Sequence, residues 1–107
     1  MCDRPNGGSV SITSVSTQQV IAAGGTYQIK QRPNRVRLII SLSTAGTVEV
    51  YREVVQAGNI IASVSNPSVP YIMDFLHYGI MVPNDMWVRN PTGGNLTVNI
   101  SEWLQGF

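Results

Sequence analysis

The chain has 107 residues, room for one domain with a single core and not for two. Hydrophobic residues make up 43% and Asp, Glu, Lys and Arg only 12%, about half the charged fraction of an ordinary soluble domain. Seven basic residues against six acidic ones leave a net charge near +1, which gives no field to gather nucleic acid or an anionic membrane.

From the N-terminus, residues 1–8 (Met-Cys-Asp-Arg-Pro-Asn-Gly-Gly) are polar and broken by glycine and proline, and are expected to form a flexible arm. They lack the apolar run of an export signal, and the sole cysteine, Cys2, permits neither an internal disulfide nor a cysteine-based zinc site. A reducing cytosol is the expected place of synthesis. Nowhere does the chain approach the run of about 20 apolar residues that spans a bilayer.

Beyond the arm, β-branched residues and alternation dominate, and Gly, Pro or Asn breaks recur at the spacing of a sandwich or barrel. Ser9–Val15 and Gln19–Ala22 read as two short strands, with Gly24-Gly25 ending the second. Thr26–Lys30 alternates, and Arg32-Pro33-Asn34 turns the chain. Arg35–Ser43 is the clearest core strand. Val36, Leu38, Ile40 and Leu42 share its inner face, while Arg35, Arg37, Ser41 and Ser43 share the outer one. Thr47–Val55 returns with Val48, Val50 and Val54 inward, and Asn59–Ser65 follows.

Pro67 and Pro70 bound a loop. Tyr71–Leu76 and Tyr78–Val82 then form one strand bent near Gly79. Met86–Arg89 is short, Asn90–Gly94 is a strong turn, and Asn95–Leu104 closes the chain with Leu96, Val98 and Ile100 inward. The expected fold is therefore all-β: an antiparallel β-sandwich, jelly-roll-like, of about eight short strands over residues 9–107.

Chemistry is sparse. His77 is the only histidine, no Gly-x-Ser-x-Gly elbow exists, and neither glycine pair is followed by a phosphate-binding signature. Asp74 and His77, three apart, point to opposite faces of a strand. No catalytic, metal or cofactor site is expected, and the chain is not expected to be an enzyme. The basic cluster Lys30, Arg32, Arg35 and Arg37 reads as a solvated or ion-paired strand face. The aromatic residues Tyr71, Phe75, Tyr78, Trp87 and Trp103 fall in the last third and are candidate interface residues. Asn84, Asp85 and Asn90 are the amides and acid that a sugar-stacking site near Trp87 would need.

Three strings carry a resemblance: Tyr78-Gly79-Ile80-Met81-Val82-Pro83, Met86-Trp87-Val88-Arg89-Asn90, and Leu96-Thr97-Val98-Asn99-Ile100-Ser101-Glu102-Trp103. With Arg32–Ile40 upstream, they resemble small tailed-phage (bacteriophage) virion accessory proteins, of the capsid cement or decoration kind or of the fibre kind. The resemblance implies a structural virion protein that binds and stabilises the coat lattice, with the major capsid protein as partner and a homo-oligomer, such as a trimer, as its form. It also implies assembly in the host cytoplasm. Cys2, Asp3, Arg4 and Pro5 are then candidates for an anchoring arm. The alternative is a tail or fibre module that recognises a host glycan or protein.

Overall fold

A computed structural model describes residues 11–75 and 84–106. Eight strands are present among them: β1 (Ile12–Ile21), β2 (Thr26–Ile29), β3 (Arg35–Leu42), β4 (Val48–Arg52), β5 (Ile60–Val64), β6 (Tyr71–Asp74), β7 (Met86–Arg89) and β8 (Leu96–Gln105). One turn of 3-10 helix, Ala57–Asn59, precedes β5. All the pairings are antiparallel. They build two four-stranded sheets, here called A (order β1-β8-β3-β6) and B (order β2-β7-β4-β5). Chain order passes back and forth between the sheets, the strand order of a jelly roll.

The core lies between the sheets and follows the alternation of the sequence. Leu38, Ile40 and Leu42 of β3, Val48 and Val50 of β4, Met86 and Val88 of β7, and Leu96, Val98 and Ile100 of β8 are all buried. Met73 and Phe75 complete it from the β6 side, and Ile21 and Ile29 from the β1–β2 corner. That corner is a tight turn in which Gly24 takes a φ of 72°, open to glycine at little cost. Gly46 is close to the core itself: a Cβ there would lie 3.0 Å from the Leu96 side chain.

Four expectations are corrected. Ile12–Ile21 is one continuous strand, not two, because all ten residues pair in register with β8. Val36 is 37% exposed rather than core. Between Arg35 and Arg37 the register against β8 slips by one residue, a bulge that throws Val36 outward and turns Arg35 into the interior. Val54 is half exposed instead of inward, because Glu53 adopts a left-handed φ of 64° and ends β4 before it. The expected strand over 78–82 lies outside the described residues.

Candidate interaction surfaces

Sheet A ends on β1, which pairs with β8 on one side; among the described residues no strand pairs with its other side. The backbone directions along β1 follow from its neighbours. Gly106 donates its amide to the Ser11 carbonyl at 2.7 Å, whereas the Gln105 amide turns the other way, to Asn34 O at 2.8 Å. Ser43 likewise donates to Thr97 O, from the β3 side. Alternate residues of an antiparallel strand bond to alternate sides. Even-numbered residues of β8 therefore bond to β1, and their register partners are Thr13, Val15, Thr17, Gln19 and Ile21. Ile12, Ser14, Ser16, Gln18 and Val20 aim their N–H and C=O groups at the free edge. Ile12 and Val20 are also among the most exposed large apolar side chains, at 56% and 61%.

Behind this edge the two sheets part. A cleft of about 270 Å³ opens between β1 and β2, lined by Val15, Thr17, Tyr27, Ile29, Lys30, Arg32, Ile100 and Glu102. Its floor is charged but compensated. Arg35, fully buried at its side chain, donates Nη1 to Glu102 Oε2 at 2.5 Å and to Lys30 O at 3.1 Å, and Nη2 to Asn84 O at 2.6 Å. Arg32 Nε stands 3.4 Å from the other oxygen of Glu102. The cluster of cations legible in the sequence is therefore not one basic patch. Arg35 and Arg32 share Glu102 at the cleft, and Arg37 pairs with Asp74 on the outer face of sheet A at 2.7 Å.

That outer face is broad and nearly free of charge. Cross-strand rows place Ser14 beside Trp103 and Arg37, Ser16 beside Ser101, Ile39 and Asp74, and Gln18 beside Asn99, Ser41 and Ile72. The Arg37 guanidinium lies 5.2 Å from the centre of the Trp103 ring. Its hydrogen bond to Asp74 raises its pKa above the ordinary arginine value.

The outer face of sheet B carries a second cluster. Tyr51 and Glu49 of β4 stand opposite Trp87 and Arg89 of β7. Tyr51 donates its hydroxyl to Glu49 Oε1 and Arg89 donates Nη1 to the same oxygen, both at 2.8 Å. The hydrogen bond from Arg89, then that from Tyr51, holds the Glu49 carboxyl below its ordinary pKa, and the same contact raises the Tyr51 phenol. Trp87 donates its indole N–H to Glu53 O at 2.8 Å.

The aromatic residues singled out from sequence do not form one surface. Phe75 is a correction: at 2% exposure it is core, filling the end of the sandwich, and has no face to offer a partner. Tyr71 is half-buried, opposite Leu42 and packed against the core. Trp87 and Trp103 lie on the outer faces of opposite sheets. Tyr78, His77 and the arm residues Cys2, Asp3, Arg4 and Pro5 lie outside the described residues.

Asn90 is withdrawn from any sugar site. It is fully buried, donating its amide to Ile21 O at 2.9 Å and Gly94 O at 2.7 Å and accepting from the Thr92 amide at 3.0 Å. Asp85 accepts the Gln31 amide at 2.5 Å. Among the described residues no group of three or more His, Cys, Asp or Glu is placed to hold a metal ion. The surface that sequence reasoning missed is the β1 edge. Its signal was present: ten consecutive residues, Ile-Thr-Ser-Val-Ser-Thr-Gln-Gln-Val-Ile, with no charge, proline or glycine.

Comparison with known proteins bears on the fold alone. No protein-family model matches the chain, and no curated protein matches it. Among solved structures, a chain from the Bacillus endospore appendages, described as a novel family of disulfide-linked pili, superposes with a TM-score of 0.57. The match covers 90% of this chain and 86% of that one at 10% sequence identity. The two share an architecture.

Proposed function

We propose that this chain is a structural, non-catalytic subunit of a large multi-copy protein particle. The particular form we propose is a virion cement or decoration protein that binds the major capsid protein and stabilises the coat lattice. One observation carries the reading: among the described residues β1 is a ten-residue edge with no lysine, proline or bulge and no strand paired to its outer side. Monomeric β proteins blunt such edges with lysines, prolines, bulges or short strands. An edge left open over this length is suited to being covered in an assembly. The nearly uncharged outer face of sheet A supports the same reading, since charged residues are depleted at the cores of protein interfaces. The pilus neighbour is a reason to look for the chain in filaments as well as in shells.

The test is to locate the chain in its native setting and then remove it. We expect it in the particle fraction, in many copies, and expect particles lacking it to rupture at lower temperature or lower ionic strength. Adding back the whole chain restores resistance, and a version beginning at Ser9 binds less well if Cys2–Pro5 anchor it. Recovery of the chain only as a free species, with particles equally stable in its absence, overturns the proposal.

A further inference from the structure

We infer that the free edge of β1 pairs with β1 of a second copy, antiparallel about a twofold axis at Ser16, making one continuous eight-stranded sheet from two A sheets. The inference deepens the assembly reading above by naming the partner and the register.

The choice of partner follows from length. Among the described residues the other sheet edges are β2 and β6, of four residues each, and β5, of five. Pro70 directly precedes β6, and Asn66-Pro67 follows soon after β5. None can match ten residues, so the strand that fits β1 along its whole length is another β1. Isologous pairing of this kind closes as a dimer, because each copy uses the same edge.

The register follows from three independent conditions. The groups free to bond belong to the even-numbered residues, so even must stand opposite even. Residues directly opposite in an antiparallel pair point to the same face of the sheet, and the even-numbered residues all lie on the outer face with Ser101 and Trp103. Centring the twofold on Ser16 satisfies both conditions. It sets Ser14 against Gln18 of the second copy, and Ile12 against Val20 of the second copy, twice over. The third condition is apolar cover. Ile12 and Val20 are the two most exposed large apolar side chains of β1, and this register brings them together. A shift of two residues in either direction sets both of them opposite other positions. Five hydrogen-bonded pairs, each exchanging two bonds, give about ten new backbone hydrogen bonds.

The cleft supplies a separate reason. Its β1 wall is Val15 and Thr17, the residues flanking the axis on the inner face. In the dimer Val15 faces Thr17 of the second copy, so the two clefts meet at the axis and each copy covers the open side of the other's. Val15, 40% exposed in the single chain, loses that exposure.

Sedimentation equilibrium of the whole chain at micromolar concentration tests the partner, and cross-linking tests the register. The chain is expected to be dimeric. Ser16→Pro removes an N–H that points to the free edge, and none that bonds to β8, so it should yield a folded monomer. Ser16→Lys sets like charges directly opposite one another at the axis and should do the same. Ser101→Ala removes the hydroxyl contact that Ser16 makes within the chain, at 3.1 Å, and should leave the dimer intact. In a Cys2→Ser background, Ser16→Cys should cross-link to itself. Ile12→Cys should cross-link only when mixed with Val20→Cys. A monomeric wild type, or a dimer that survives both Ser16 substitutions, overturns the inference. If such a monomer still binds and stabilises particles, the assembly reading stands without it; if particles also ignore the protein, both fail.

Discussion

At the residue scale, the Arg35–Glu102 pair sets the strongest single dependence. Arg35 was legible as a cation on an outer strand face, but the bulge at Val36 turns it inward, where a charge needs compensation. Glu102, one strand away, and the carbonyls of Lys30 and Asn84 supply it. Removing the carboxylate strands a buried guanidinium, and a broken buried pair costs about 3–5 kcal/mol. Glu102→Ala should therefore lose that much stability in urea unfolding, and a loss below about 1 kcal/mol would contradict the pairing as described. Glu49 gives a pH signature on the opposite sheet. Its folded pKa is depressed by Arg89 and Tyr51, so its contribution is present above the ordinary glutamate value of about 4.3 and is lost as pH falls through the folded value. Wild type should exceed Glu49→Gln in stability at neutral pH, and the gap should close on acidification below that value. A gap constant from neutral pH down to pH ~3, well below the ordinary value, would contradict the assignment.

At the scale of elements, the alternation in β3, β4 and β8 was enough to place the core, because a half-buried strand writes its inner face at every second residue. That rule holds only while the ladder is regular. One extra residue at the bulge exchanges the faces of Arg35 and Val36, and a left-handed Glu53 cuts β4 short of Val54; nothing in residue type announces either event. The aromatic residues misled for a different reason. Phe75 and Trp87 are alike as apolar bulk, and only the sheet each lies on and the face it takes decide whether it packs or is presented. The contrast along β3 is measurable. Leu38→Ala, at a position with no exposure, should cost about 2–5 kcal/mol, while Val36→Ala should stay within about 0.5 kcal/mol. Equal losses at the two positions would mean that the bulge is misplaced.

At the scale of the whole molecule, β1 is the longest sheet edge among the described residues. Among the described residues the interior is filled by apolar side chains, Arg35 is paired with Glu102, and Asn90 is satisfied at the corner. What remains open is backbone: a strand whose outward amides have no partner among the described residues. The resemblance to phage accessory proteins implied a trimer. A trimer built by pairing β1 to a different strand would have to match it to a much shorter edge, whereas the twofold contact proposed above matches it to itself.

If the free edge of β1 is the assembling edge, amide hydrogen exchange along β1 reports it residue by residue. In the isolated chain the amides of Thr13, Val15, Thr17 and Gln19, bonded to β8, should exchange slowly, and those of Ser14, Ser16, Gln18 and Val20 should exchange fast. On assembly the second set should become protected while the first changes little. Amides of Ser14, Ser16, Gln18 and Val20 that exchange as fast in the assembled protein as in the dilute chain would contradict it.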